Sequence, residues 1–252
     1  MLDFRYDLPA PLLQRFRRTA LINIDPGPYE MALNNGAYPQ PKHHVLFSIG
    51  QRAEPRFNYT PPCVYMKEWP PTPGRPDAPW TTVAHWWADA SNKRDGFAPY
   101  MSIPSRVPAR FELALNLNCP PEQRRIEEFG FIVHDPHKIV STPTDYRTFI
   151  QGSAGEFSCA APLYVKLQTA WISDRTLCYL ASGRPCVVQH TGASRFLPND
   201  KGLHRFHDLD SAVSAMECVL ANYDAEAKAA RAIVEEFFDA TKVCGNLLAR
   251  AL

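Results

Sequence analysis

The chain lacks most of the features that would classify it quickly. Neither charge is in surplus: 27 Lys and Arg stand against 26 Asp and Glu, a formal net charge of +1. Nothing electrostatic therefore points to nucleic acid or an anionic membrane. No apolar run approaches the roughly 20 residues of a membrane span, and the opening MLDFRYDLPAP lacks the apolar stretch of a secretory signal. There is no CxxC. The seven cysteines (Cys63, Cys119, Cys159, Cys178, Cys186, Cys218 and Cys244) are scattered and odd in number. That argues against a disulfide framework or a zinc ribbon, and for reduced thiols in the cytosol. No GxGxxG follows a strand, and neither GxxxxGK[ST] nor GxSxG occurs. NAD-type, P-loop and Ser–His–Asp hydrolase readings lose their best support.

Proline is present in excess instead, 24 residues against 12 glycines. The prolines are dense between Pro55 and Pro108, and only Pro185 and Pro198 follow Pro162. Because proline removes a backbone donor and disfavours helix before it, the first part should be turns and extended chain. A length of 252 residues, 45% hydrophobic, allows one large domain or two small ones with a real core. The stretch Pro70–Pro79 reads as a linker, which sets a boundary near residue 78 and divides the chain into 1–78 and 79–252.

Before that boundary, RTALINID (18–25) and HHVLFSIG (43–50) suit buried parallel strands, with room for one short helix between them. Two strands and a helix bury no core of their own, so this part is an incomplete N-terminal lobe. After it, strand and helix patterns alternate. Strands are expected at 80–87, 109–117, 131–135, 156–160, 185–189 and 203–208. Helices are expected in PPEQRRIEEFG, in PTDYRTFIQGS capped by Thr144, in SDRTLCYLASG, and through most of the last 40 residues. The fold class is α/β: a Rossmann-like parallel sheet with helices on both faces.

Ligands of such sheets bind outside the carboxyl ends of the strands. This directs attention to the loops after Asp135, Ala160 and Gln189, and to the one leading into Ser173. There Ser173 or Asp174 can cap a helix whose free N–H groups and dipole favour an anion. Arg175 and Thr176 add a guanidinium and a hydroxyl in the first turn, chemistry suited to a diphosphate. The plain alternative is a well-capped helix with a surface arginine. Lys93 and Arg94 follow the domain's first strand as weaker phosphate candidates. Trp80, Trp86 and Trp87 suit a buried strand better than base stacking. His43 and His44 point to opposite faces of a strand and do not form a metal pair. His134, Asp135 and His137 line a nucleotide crevice or serve as loop polar groups.

The segment 170–202 resembles the nucleotide-sugar-binding half of glycosyltransferases with the GT-B fold. ASGRPCVVQHTG fits their helix–strand–loop pattern, GLHRFHDLDSAVSAM their later strand and helix, and the closing run their C-terminal helices. The pairing of TDYRTFIQGSAGEFSCA with WISDRTLCYLASGRP is similar to a group of bacterial glycosyltransferase-like proteins. The resemblance implies a donor diphosphate at Ser173, Asp174, Arg175 and Thr176. It implies a donor sugar or nucleotide near Glu156, Gln189, Thr191, Gly192, Val133 and His134. Many retaining members carry a Glu near the position of Cys178. The implied protein is cytosolic, needs no cofactor or metal, and moves a sugar from a nucleotide-diphospho-sugar to an unidentified acceptor. The competing class is a binding or interaction protein that keeps the donor domain without catalysis. Two further expectations concern particular residues. Arg175→Ala should weaken nucleotide binding and leave folding intact. The last helix, apolar at Val243, Leu247, Leu248 and Leu252, should be covered by residues 1–60 or by a second subunit.

Overall fold

The computed structural model describes residues 1–52, 55–86 and 93–251. A first sheet is built from β1 (Leu2–Asp3), β2 (Ala20–Asn23), β3 (Val45–Ser48) and β4 (Asn58–Tyr59), in that order and parallel throughout. A second holds β5 (Trp80–His85), β6 (Phe111–Asn116), β7 (Phe131–His134), β8 (Gly155–Ser158), β9 (Cys186–Gln189), β10 (Asp200–Lys201) and β11 (Leu203–Phe206). Its spatial order is β10-β11-β9-β8-β5-β6-β7. Every pairing is parallel except that of β10 with β11. Setting β10 aside, the strands run third, second, first, fourth, fifth, sixth. The order reverses between β5 and β8, and the crevice of such a sheet opens at that reversal.

The local reasons for these elements are ordinary. β8 and β11 are buried along their whole length, as parallel strands covered on both faces must be. The Pro120–Glu128 helix starts on proline and is followed by Gly130 at φ +95°, a conformation that glycine adopts without a Cβ clash. Asp208 and Ser211 form a reciprocal capping box at the start of the Leu209–Ala221 helix. One expected cap is displaced. Thr142, not Thr144, caps the Pro143–Gly152 helix, its hydroxyl accepting from the Asp145 N–H at 3.1 Å. Pro143 then takes the first helical position, where no donor is needed.

The proline-rich linker is docked along the second sheet's domain. Arg184 is fully buried and donates to the carbonyls of Thr72, Pro73 and Gln151 and to the Thr72 hydroxyl. Gln151 and Arg231 hold the carbonyls of Pro70 and Trp69. Prolines offer no N–H, so a linker rich in them presents mostly acceptors, and long donors satisfy those.

The first sheet buries Leu21 on one face with Tyr29, Leu33 and Phe57. On the other face Ala20, Ile22 and Phe47 meet Leu247 and Ala251 of the Ala240–Ala251 helix. The last helix therefore crosses back to the N-terminal lobe. Residues 1–60 thus cover Leu247, whereas Leu248 stays exposed and Leu252 lies outside the described residues.

Candidate functional site

A narrow cleft with a free volume of about 20 Å³ opens at the carboxyl ends of β5, β8 and β9, beside the strand reversal. Lys93 enters it after β5, Ser158, Cys159 and Ala160 from the end of β8, and Gln189 and Thr191 from the end of β9. Ser173, Arg175 and Thr176, at the start of the Asp174–Ala181 helix, form another wall. Arg205 and Trp171 complete it.

Two neighbouring loops interlock to hold this geometry. Gly192 adopts φ +134°, and a Cβ there would lie 2.5 Å from the Gln168 carbonyl oxygen. Gln168 and Ala170 are themselves left-handed, at φ +51° and +57°. Such conformations cost non-glycine residues about 1 kcal/mol or more each, and surrounding contacts must hold them. Here the Ala170 N–H donates to the Thr191 carbonyl at 2.9 Å, and the Thr191 hydroxyl to the Trp171 carbonyl.

The two cations nearest the strand reversal differ in their partners. Arg175 Nε donates to Glu156 Oε1 at 2.7 Å, Nη1 to the Val83 carbonyl at 2.9 Å, and Nη2 to Ser158 Oγ at 2.9 Å. The Arg175 and Glu156 side chains are 12% and 0% exposed. Burial is the largest single influence on Arg175 and disfavours its charge. The summed attraction of Glu156 and neighbouring groups outweighs it and holds the guanidinium above its ordinary range. Lys93 Nζ, in contrast, donates to neutral oxygens, Ser158 Oγ at 3.0 Å and the Cys159 carbonyl at 2.5 Å. Burial, then repulsion from Arg175, lowers its pKa to about 7, against the pull of Glu156. Arg205 likewise bonds neutral groups, Asn199 Oδ1 at 2.8 Å and the Gly192 carbonyl at 2.9 Å.

No protein-family model matches the sequence, and no curated protein matches it. Solved structures do match its fold. HepE of Anabaena bound to UDP-glucose superposes with a TM-score of 0.65 at 9% identity, over 93% of this chain and 72% of that one. A glycosyltransferase from Rickettsia africae gives 0.57 at 9% identity, over 92% and 69%. Sucrose-phosphate synthase from Thermosynechococcus elongatus gives 0.52 at 14% identity, over 92% and 58%. The chain has the GT-B fold.

In the GT-B frame, the residues singled out from the sequence divide into three groups. Ser173, Arg175, Thr176, Gln189 and Thr191 come together in the cleft, with Glu156 directly behind Arg175. Ser173 holds the N-cap position, but its side chain caps nothing and instead donates to Asp174 Oδ1 at 3.3 Å. Asp174 accepts from the Arg175 N–H and faces a different cavity, and Gly192 serves the interlocked loops. Val133 and His134 lie apart, on the outer strand β7, with β6 and β5 between them and β8. There His134 pairs with Glu112 at 2.8 Å, and Asp135 caps a short helix.

Arg175 needs the main correction. It is not the surface residue expected from the sequence: its side chain is buried against Glu156, so its removal is expected to cost stability. Lys93, ranked lower on sequence, is the deeper cation with neutral partners, whereas Arg94 is exposed and paired with Asp95 at 3.3 Å. Arg205 was overlooked, because an arginine inside a strand gives no sign of which loop it will reach.

The remaining aromatic and histidine candidates are structural. Trp80 and Trp86 are buried, and Trp87 lies outside the described residues. His43 bonds Asp3 and His44 bonds Thr19, so the pair does point apart. His190, beside the cleft, is held down to about 4 by burial, Arg205 and His207, and is neutral near pH 7. Cys178 is pushed up to about 12, chiefly by burial. Among the described residues, His204, Cys218 and Glu226 bring potential metal ligands within 4.8 Å of one another. That trio does not line the cleft, and its Glu226 already bonds His204 and the Gly202 N–H.

Proposed function

We propose that the chain binds a nucleoside-diphospho-sugar in this cleft and transfers the sugar to an acceptor hydroxyl. The observation that carries the reading is the pairing of Lys93 and Arg205. Both line the cleft at the carboxyl ends of a parallel sheet, both have neutral hydrogen-bond partners, and the start of the Asp174–Ala181 helix lines the same cleft. Cationic side chains whose hydrogen-bond partners are neutral complement a diphosphate, and a bound diphosphate in turn favours the charged form of Lys93. The UDP-glucose bound to HepE supports the choice of ligand class. The free volume of the cleft, about 20 Å³, is smaller than a diphosphate, so binding includes an outward shift of its walls.

In the transfer, the acceptor oxygen bonds to the anomeric carbon as the bond from that carbon to the diphosphate breaks. The electron pair stays on the diphosphate, and the hydroxyl proton passes to a base. Lys93, Arg205 and the helix N–H groups stabilise the developing charge, and no cofactor or metal is required of this scheme.

One feature favours a second reading, donor binding without turnover: the resemblance puts a glutamate of many retaining members near the position of Cys178, and a thiol that keeps its proton does not replace a carboxylate. Incubation with UDP-, GDP- and dTDP-glucose separates the two. Release of nucleoside diphosphate supports transfer or hydrolysis, saturable binding without release supports the second reading, and no binding defeats both.

A further inference from the structure

A second cavity lies between the lobes, and Trp171 lines both it and the cleft. It measures about 460 Å³, within the usual range of small-molecule sites. Its walls come from separate parts of the chain, including the N-terminus, the end of β2 and the last helix. Leu2, Phe4, Ile24 and Leu248, exposed by 40, 54, 46 and 42%, all converge on it. Single exposed apolar side chains need no explanation, but a cluster around one hollow does.

Among the described residues, the charged groups of the lining are acidic, Asp25 and Asp174, with no lysine or arginine. Asp25 Oδ1 accepts from the Tyr164 hydroxyl at 2.9 Å, and Tyr164 stacks on Trp171 with ring centroids 4.5 Å apart. Through Tyr164, Asp25 is therefore linked to Trp171, the wall shared with the cleft. Carboxylates accept hydrogen bonds from a neutral hydroxyl and repel a carboxylate or phosphate head.

We infer that this cavity receives the acceptor, an alcohol with an aliphatic chain whose hydroxyl lies toward Asp25 and Asp174. The assignment of this ligand as acceptor rests on the glycosyl-transfer reading, whereas the apolar site itself does not. Fatty acids and lipid phosphates fit the lining less well, since their charge would meet two carboxylates.

Calorimetric titration with n-decanol and with decanoate at pH 8 tests the site. Decanol should bind saturably at one per chain, and decanoate about tenfold more weakly or worse. Leu248→Asp and Phe4→Asp, both at exposed positions, should each weaken decanol about tenfold while UDP affinity and the melting temperature stay unchanged. Asp25→Asn should narrow the gap between decanol and decanoate. No saturable decanol binding, equal affinity for decanoate, or indifference to both aspartate substitutions overturns the site. UDP is titrated in parallel. Decanol binding without UDP binding keeps the apolar site and defeats the acceptor assignment together with the transfer reading. UDP binding without decanol binding defeats the apolar site alone. Decanol-dependent release of UDP from UDP-glucose, with a decyl glycoside formed, supports the acceptor assignment, and its absence with both ligands bound overturns it.

Discussion

The two lobes reach a buried core by different routes. The larger sheet has seven strands, covers both faces with helices of its own domain, and places an ion pair, Arg175 with Glu156, inside. The smaller has four strands, two of them only two residues long, and one of its faces is closed by Leu247 and Ala251 from the far end of the chain. A sheet too small to bury both faces borrows a helix, so its integrity depends on residues about 200 positions away. The larger lobe depends instead on the internal balance of its buried charges.

That contrast can be broken most sharply at Arg175. Arg175→Ala leaves Glu156 buried without its partner and should cost about 3–5 kcal/mol in urea denaturation. Replacing both residues by apolar ones of similar size should recover most of that loss. If the single substitution is tolerated with little change, the larger lobe does not rest on this pair.

At the smaller lobe, Leu247→Ala should cost about 2–3 kcal/mol, the lower part of the range for a buried leucine, because the site lies at the edge of the core. Hydrogen exchange should locate the damage, with faster exchange at residues 20–23 and 45–48 and little change at 111–116. Equal acceleration in both sheets would mean that the lobes fold as one unit.

Lys93→Met should weaken UDP binding by about 10- to 100-fold, the loss of one charge-assisted contact. The pH dependence has a definite sign. Lys93 loses its proton near pH 7 in the free protein, and a bound diphosphate favours the charged form. Affinity should therefore be level below pH 7 and fall as pH rises above it, and Lys93→Met should flatten that profile. Stability runs the other way. From about pH 7 to the usual lysine range, the unfolded chain holds a proton that the folded one lacks, so the cost of burying Lys93 shrinks as pH rises.

Thr142→Ala should have the smallest effect, about 1 kcal/mol in thermal or urea unfolding, from the loss of one helix cap. The same change at Thr144 should do less. The reverse ranking would mean that the observed cap is not the one that matters.

How much was legible before the structure follows the range of each interaction. The alternation from Trp80 to Phe206 could be read because apolar runs, proline at helix starts and glycine at helix ends act within a few residues. β1 and β4 could not, since two-residue strands carry no period and exist only through pairing with β2 and β3. His134 and Gln189 both stand at strand ends, and nothing local tells them apart. Strand order does, placing β7 at the sheet's edge and β9 beside β8.

By itself, then, the sequence determined the α/β class, most of the helices and strands of the larger lobe, and the helix end at Ser173–Thr176. Tertiary structure alone decided what surrounds each charge. Arg175 meets Glu156, Ser158 and Val83 from two adjacent strands, whereas among the described residues Lys93 donates to the neutral oxygens of Ser158 and Cys159. Backbone preference is set by neighbours along the chain, whereas the environment of a charged group is set by neighbours in space.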